Sequence, residues 1–231
     1  LGNTDMMIST FLDEAFVHPE STILIQNQFS RFMTDEGDAG FSVNLRKALI
    51  TRTQKNQEVY WNQFLSWFYI QQKEFGKAFI QEKAIYKRNP ESLAALLNLA
   101  QLTIDEKDDA TAKTILGFVI ENTTDVELLV QANTYLMQLK IDTTPEKEWA
   151  SLETELSALL TRYGIRPFTL SLQLMQAHFL TFNLKNPEAG KGIVRTALDL
   201  PLNEYETAQA KMELADILLY EAKFNQALLY Y

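Results

Sequence analysis

Residues 59–90 read VYWNQFLSWFYIQQKEFGKAFIQEKAIYKRNP, and this stretch decides the fold. Apolar residues recur among polar ones at helical spacing over 59–72 and again over 77–88, which predicts two amphipathic helices. A short polar break separates them. Asn89-Pro90 ends the second helix, because proline disfavours the α region in the residue before it. Two helices joined by so short a connection must lie antiparallel.

The positions of small and large residues in this stretch recur further along the chain. They resemble the tetratricopeptide (TPR) pattern, W-x2-L-G-x2-Y, then A-x3-F, then P, which has a 34-residue period. Small residues suit such a pattern because a bulky side chain would force two closely crossing helices apart. The matching residues are Leu65, Ser66, Tyr69, Ala78 and Pro90, and, 34 residues further on, Leu99, Ala100 and Ala112, followed by Leu116.

The chain also departs from the TPR pattern. Asn62 replaces the tryptophan, Glu82 the phenylalanine of the first unit, and Thr103 the second tyrosine. Two further units resemble the pattern near the C-terminus, and their key alanines lie 38 residues apart, so the repeats are irregular. The residues assigned to these units are Ala177, Leu180, Ala189, Ile193 and Pro201, then Leu214, Ala215, Leu218 in place of the tyrosine, Ala227 and Tyr231.

The resemblance implies an all-α fold, an α-α superhelix (solenoid) of about six antiparallel helix pairs, each packed on its neighbours. We expect a single TPR-like domain over residues 1–231. Because the chain opens at Leu1 rather than Met and stops at Tyr231 in a helix that should run on, we expect it to be part of a longer protein. The divisions are 1–56 with divergent N-terminal helices, 57–124 with two TPR-like repeats, 125–166 with a longer irregular pair, and 167–231 with two repeats, the last truncated.

Composition is typical of a folded helical chain and disfavours several classes of function. Hydrophobic residues make up 46% of the chain, and only 8 glycines and 6 prolines are present, which favours helices over a turn-rich β fold. The net charge of −9 argues against non-specific nucleic-acid binding, which needs a basic surface. Because there is no cysteine, disulfides, thiolate metal sites and cysteine catalysis are excluded. No stretch approaches ~18 consecutive apolar residues, so we expect no direct membrane insertion.

The sequence contains no spaced set of catalytic or metal-binding residues. His18 and His178 are the only histidines, and neither belongs to a cluster such as HExxH. Residues 189–192 (AGKG) depart from the phosphate-loop pattern GxxxxGK[ST] and are better interpreted as the opening of a helix. The acidic segments 35–38 and 105–109 lack the ligand order of a calcium loop and are predicted to be solvated turns. We therefore expect no catalytic, cofactor-binding or metal site.

The resemblance implies a binding surface, because in TPR proteins the first helix of each pair lines the concave face. The equivalent positions here mix aromatic residues, methionines and amides with few cations, which suits an apolar or aromatic-rich peptide or helix. They lack the Lys/Arg-Asn clamp with which some TPR proteins hold a C-terminal carboxylate. The same side chains would also suit packing against the next helix or a neighbouring copy. The candidates are Tyr60, Gln63, Phe64, Trp67, Gln71, Leu97, Asn98, Gln101, Asp105, Leu174, Met175, His178, Phe182, Met212, Glu213, Asp216 and Tyr220.

The function that this interpretation favours is a noncatalytic scaffold or adaptor that binds a protein or peptide on the concave face. The alternative is a structural or oligomerisation module that serves another domain of a longer protein. Nucleic acid is not expected as a partner, and the sequence does not set the oligomeric state. Segments such as EFGKAFIQEKAIYKRNPESL are similar to those of TPR proteins from Bacteroidetes-type bacteria, which often carry a signal peptide. This similarity favours an exported, periplasmic location over a cytoplasmic one.

Overall fold

The computed structural model describes residues 2–34, 39–56, 58–91 and 93–231, and within these ranges the chain is all-α, with thirteen α-helices and no strand. Short 3-10 turns cover Pro19–Ser21, Glu146–Glu148 and Pro167–Thr169, and a π-helical segment, Phe179–Asn183, continues one of the α-helices. The helices are α1 (Gly2–Val17), α2 (Thr22–Thr34), α3 (Ala39–Lys55), α4 (Val59–Gln71), α5 (Phe75–Arg88), α6 (Ala94–Asp105), α7 (Asp109–Asn122), α8 (Val126–Thr143), α9 (Trp149–Tyr163), α10 (Leu170–His178), α11 (Pro187–Leu198), α12 (Glu204–Tyr220) and α13 (Phe224–Ala227).

Helical periodicity locates most of these helices to within a few residues, and the exceptions have local causes. Helix α5 begins at Phe75, inside the predicted polar break, because the Phe75 side chain is buried and anchors the first turn. Proline at 145 predicts a helix start there, whereas the structure has a 3-10 turn after Pro145 and α9 begins only at Trp149. Helix α13 ends at Ala227, short of the predicted end at 231. The acidic turn predicted at 35–38 lies outside the described residues.

The chain divides into two compact units, residues 1–99 and 100–231, and the boundary falls within α6. The sequence analysis predicts a single repeat domain, and this boundary is not one of its internal divisions. The difference has a simple origin. Repeat spacing reports which hairpins resemble each other, whereas compactness depends on how many contacts each helix makes with distant parts of the chain.

In the first unit, aromatic side chains form the core between helices α1 to α4. Phe29 is fully buried at its centre. Its ring lies 5.9 Å from that of Phe11, 5.6 Å from that of Phe41 and 6.2 Å from that of Phe64, in edge-on or tilted arrangements. Such geometries are favoured between aromatic rings over face-to-face stacking. Helix α5 completes the unit by packing against α4.

In the second unit, each helix from α7 to α12 packs against the next, and α10 also contacts both α8 and α12. Two clusters of buried apolar residues fill the spaces between the helices. One joins α8, α9 and α10 around Leu156 and Phe179, and the other joins α10, α11 and α12 around Ala177 and Leu214. Alternate helices therefore share a common face in this unit.

Four connections between helices adopt the same backbone conformation. Lys73, Lys107, Lys185 and Ala222 all have left-handed φ values, between +55° and +65°. In the first of these turns the Lys73 N–H donates to Ile70 (2.9 Å), and the next N–H donates to the carbonyl five residues back. This is the Schellman arrangement that ends many helices. Lys107 follows Lys73 by 34 residues, the interval of the sequence pattern.

These turns also correct the repeat register. The residue five positions after each left-handed residue is small and buried: Ala78, Ala112, Gly190 and Ala227. The sequence analysis assigned Ala189 and Ile193 to this unit, whereas the equivalent residues are Gly190 and Val194. The cause is the π-helical segment Phe179–Asn183, which adds one residue to the preceding helix, so that the Asn186 N–H donates to Leu180, six residues back.

Candidate partner-binding groove

The second unit contains an open groove with a cavity volume of about 500 Å³. Helices α6, α8 and α12 and the helix formed by α10 with its π-helical end contribute all of its lining residues, while α7, α9 and α11 contribute none. The apolar residues of the lining are Ile104, Ile141, Leu174, Met175 and Phe179. The polar ones are Gln101, Thr134, Tyr135, Gln138, Ser171, His178, Asn183 and Glu213.

The apolar floor of the groove is continuous with the core. Phe179 is 1% exposed, and its ring meets Trp149 edge-on with a centroid distance of 5.9 Å. Met175 and Ile141 are partly buried against the same cluster. Because these side chains are held from behind by α9, the floor is a preformed apolar surface of the kind that ligand sites use.

Hydrogen-bond acceptors dominate one edge of the groove. Gln101 Nε2 donates to Asp105 Oδ1 at 2.9 Å, and Gln138 Nε2 donates to Asp142 Oδ1 at 2.9 Å. In both pairs the glutamine and the aspartate lie one helical turn apart, on α6 in the first pair and on α8 in the second. Each glutamine still offers its amide oxygen and its second N–H, while the aspartate carboxylates beside them add only acceptors and negative charge.

A histidine–glutamate pair links α10 to α12 across the groove. His178 Nδ1 lies 3.2 Å from Glu213 Oε1. This hydrogen bond raises the pKa of His178, partial burial opposes the rise, and the charges of Glu213 and Asp216 add to it. The imidazole lies tilted against the Phe182 ring with a centroid distance of 4.4 Å, and the Phe182 ring meets that of Tyr220 edge-on at 5.3 Å. The two carboxylates therefore favour the protonated form of His178.

The C-terminal residues that the sequence analysis selected fall into two groups. Gln101, Leu174, Met175, His178 and Glu213 line the groove itself. Most of the remainder lie beside it: Asp105 pairs with Gln101, Phe182 contacts His178 and meets Tyr220 edge-on, and Asp216 accepts a hydrogen bond from Tyr231. The half-exposed Met212 lines a separate depression near the C-terminus.

The N-terminal candidates lie in different surroundings, in the first unit. Phe64 and Leu97, at 1% and 3% exposed, are core residues, which corrects their assignment to an accessible face. Phe64 belongs to the unit's aromatic core, where its ring lies 6.2 Å from those of Phe29 and Tyr60. Gln63 and Asn98 are exposed.

Other residues on the same face of α4 are engaged by the N-terminal helices. The Tyr60 hydroxyl hydrogen-bonds the Ala15 carbonyl at 2.8 Å and the Thr22 hydroxyl at 2.9 Å. Gln71 Oε1 accepts from Ser30 at 3.5 Å. Trp67 is half-buried, with its ring edge-on to Phe64 at 5.4 Å.

Sequence reasoning selected no residue of α8, yet this helix supplies Thr134, Tyr135, Gln138 and Ile141. A signal was present in the printed sequence. Residues 101–105 read QLTID and residues 138–142 read QLKID. In both segments the glutamine and the isoleucine line the groove, and the aspartate holds the glutamine.

The AGKG segment has a structural explanation. Gly190 and Lys191 are buried in the first turns of α11. Lys191 Nζ lies 2.7 Å from Glu188 and 2.6 Å from Glu221, so it ties α11 to the end of α12. Within the described ranges, no group of three or more histidine and acidic side chains is arranged to hold a metal ion. None of the helices in those ranges combines the length and apolar character that a membrane span requires.

Comparison with known proteins adds no family to this description. No protein-family model matches the chain, and no curated protein matches it.

Proposed function

We propose that this protein is a noncatalytic interaction scaffold or adaptor, which binds a peptide or a partner helix in the groove of residues 100–231. One observation carries the proposal: four alternate helices converge on one open, apolar-floored groove with a polar rim. Peptide-binding grooves of helical repeat proteins share this design, in which a rigid apolar surface takes anchor side chains and polar groups fix orientation.

The same observation supports a finer proposal about architecture, that the helix pairs form a TPR-like superhelix. In a solenoid each repeat contacts its neighbours, and equivalent helices line the same face. The recurrence of the left-handed turn, with a small buried residue five positions later, supports assignment of the hairpins to one repeat type.

A groove-filling substitution tests the binding proposal. Ser171 is exposed and lines the groove, so Ser171→Trp should occupy it without disturbing the core. Ser151 is exposed on α9, outside the groove, and Ser151→Trp is the matched control. Peptides selected on the wild-type protein from a random displayed library should bind the control equally and Ser171→Trp at least about tenfold more weakly.

Equal binding to both variants would place the peptide site elsewhere and contradict the proposal. Thermal melting of the two variants checks that neither substitution has unfolded the unit, since exposed side chains usually change stability by only about 0.5 kcal/mol.

A second candidate function, a structural or oligomerisation module, is favoured by the surface at the C-terminal end. Phe224, Leu228, Leu229 and Tyr231 are 61% to 80% exposed there. Exposed apolar side chains in a cluster often mark a protein contact. If this surface joins two copies, light scattering should show a dimer of the wild-type chain and a monomer of the Leu228→Ser/Leu229→Ser variant. A monomer in both cases would remove this candidate.

A further inference from the structure

We infer that the partner of the groove is a cationic amphipathic segment, whose apolar side chains enter the floor while lysines or arginines meet the acidic rim. This inference rests on the proposed function and adds the chemistry of the ligand to it. It depends on how charge is distributed over the chain and over the helices of the second unit.

Negative charge is concentrated in the unit that contains the groove. Residues 100–231 include 19 Asp and Glu against 11 Lys and Arg, whereas residues 1–99 include 11 against 10. The second unit therefore carries −8 of the net −9. A field of one sign over a concave, low-dielectric surface raises the local concentration of oppositely charged ligands and speeds their association.

Few basic groups of the second unit lie at the groove: His178 lines it and is paired with Glu213, and Lys185 lies beside it against the Tyr220 ring. The lining includes no lysine or arginine. Of the two lysines on groove-lining helices in this unit, Lys140 pairs with Glu155 of α9 and Lys211 lines the separate C-terminal depression. Lys107 lies in the exposed turn after α6, and Lys185 contacts the Phe182 carbonyl and the Tyr220 ring.

Acidic groups stand at intervals along the rim. Asp105 and Asp142 hold the lining glutamines of α6 and α8. On α12, Glu213 lines the groove, paired with His178, and Asp216 lies close by, where it accepts from Tyr231. The two aspartates accept hydrogen bonds, and the glutamine oxygens beside them are acceptors too. A partner that supplies N–H donors on long side chains satisfies all of these groups, whereas an acidic partner would bury repelling charges.

Apolar anchoring and cationic contacts together define the ligand class. The floor offered by Ile104, Ile141, Leu174 and Met175 matches apolar side chains on one face of a peptide. Lysine and arginine place their charges at the ends of flexible apolar stems, so they reach a rim while their stems cover apolar surface.

Synthetic peptides of about 16 residues, long enough for about four helical turns, test the inference. Three of them carry leucine at helical spacing, and their other positions are all lysine in one peptide, all glutamine in the second and all glutamate in the third. A fourth peptide has the lysine composition in scrambled order. In fluorescence anisotropy at about 0.15 M salt, we expect the lysine peptide to bind at least about tenfold more tightly than the glutamine one. The glutamate and scrambled peptides should bind most weakly.

Two pairs of substitutions locate the effect. Asp105→Asn/Asp142→Asn neutralises the rim and should weaken the lysine peptide by about fivefold or more, with little change for the glutamine peptide. Glu146→Gln/Glu148→Gln removes the same charge from the exposed turn before α9 and should leave both affinities unchanged.

The outcomes separate the inference from the proposed function. If the glutamine peptide binds as tightly as the lysine peptide, and Ser171→Trp abolishes both, the groove function stands and the charge inference is overturned. If the scrambled peptide matches the ordered one, binding is general attraction to an acidic surface and the inference is likewise overturned. If none of the amphipathic peptides binds, the proposed function fails together with it.

Discussion

Lys107 shows how the backbone conformation of a single turn residue affects the stability of a helical hairpin. Its backbone lies at φ +65°, a region that costs an L-residue roughly 1–2 kcal/mol and that glycine enters freely. We expect Lys107→Gly to raise the free energy of unfolding by about 0.5–1 kcal/mol, because relief of this strain exceeds the extra entropy that glycine has in the unfolded chain. Urea denaturation followed by circular dichroism measures the change.

Lys113→Gly is the matched control, because Lys113 is an exposed lysine in the interior of α7. There glycine should lower the free energy of unfolding by about 1 kcal/mol. A loss of stability in both variants would show that the left-handed position is not strained in the folded protein.

Glu82 is a second residue whose environment has a measurable consequence. It stands where the TPR pattern has phenylalanine, and burial raises the pKa of its carboxyl group above the ordinary 4.5. A carboxyl group with a raised pKa in the folded state favours folding when protonated. Its contribution is complete below 4.5 and is lost as the pH rises through the folded-state value.

We therefore expect Glu82→Gln to raise the melting temperature at neutral pH and to leave it nearly unchanged below the ordinary pKa. Glu14→Gln, on the exposed face of α1, should change little at either pH. If the Glu82→Gln variant is no more stable than the parent at neutral pH, burial of the ionised Glu82 carboxylate does not destabilise the folded protein, and this interpretation is wrong.

At the scale of elements, the contact between α11 and the helix before it depends on one missing side chain. A Cβ at Gly190 would lie 2.2 Å from Thr181 Oγ1 and 2.8 Å from the Ala177 carbonyl oxygen. Gly190→Ala should therefore cost about 1–3 kcal/mol of stability, as overpacking does in cores. Gly192 lies on the same helix, and a Cβ there meets nothing within 4 Å, so Gly192→Ala should stabilise by about 0.5–1 kcal/mol.

A double variant assigns the cause. The buried Thr181 hydroxyl has no hydrogen-bond partner in the described structure, and Thr181→Ala removes the nearer of the two clashing atoms. Thr181→Ala/Gly190→Ala should lose less stability than the sum of its single variants, because neighbouring substitutions couple. Strict additivity would mean that the π-helical segment and Gly190 are independent.

The π-helical segment also marks the limit of sequence-based prediction at this scale. Helical period and prolines predict much of α5 and α11, because their apolar stripes are regular, Pro90 follows the end of α5 and Pro187 opens α11. An added residue at Phe179–Asn183 has no compositional signature, so the assignment slipped from Gly190 to Ala189. Only the hydrogen-bond pattern of the turn reveals it.

The groove itself could be predicted in part. The TPR resemblance predicts Leu174 and His178 at groove-facing positions of one helix, and both line the groove. Phe64 and Leu97 were misplaced because a helix with several apolar stripes gives no single direction, and the neighbours that bury it come from distant sequence. Residues of α8 were missed where the repeat spacing lengthens, although the recurrence of Q-L-x-I-D marks them.

At the scale of the whole molecule, the two units differ in charge more than in secondary structure. The first is nearly neutral and built around aromatic rings, and the second is acidic and contains the groove. The net charge of the entire chain does not reveal this difference between the units. The difference can be calculated only once the boundary within α6 is known. We expect partner binding to weaken with added salt, because charges at an exposed rim are screened over about 8–10 Å.

The central claim is that a partner occupies the groove formed by alternate helices of the second unit, and amide NMR during titration with the lysine peptide tests it most directly. We expect shift changes to concentrate in α6, α8, α12 and residues 170–183, with Gln101, Gln138 and Glu213 among the most affected. Changes centred on α7, α9 and α11, or within residues 1–99, would contradict it.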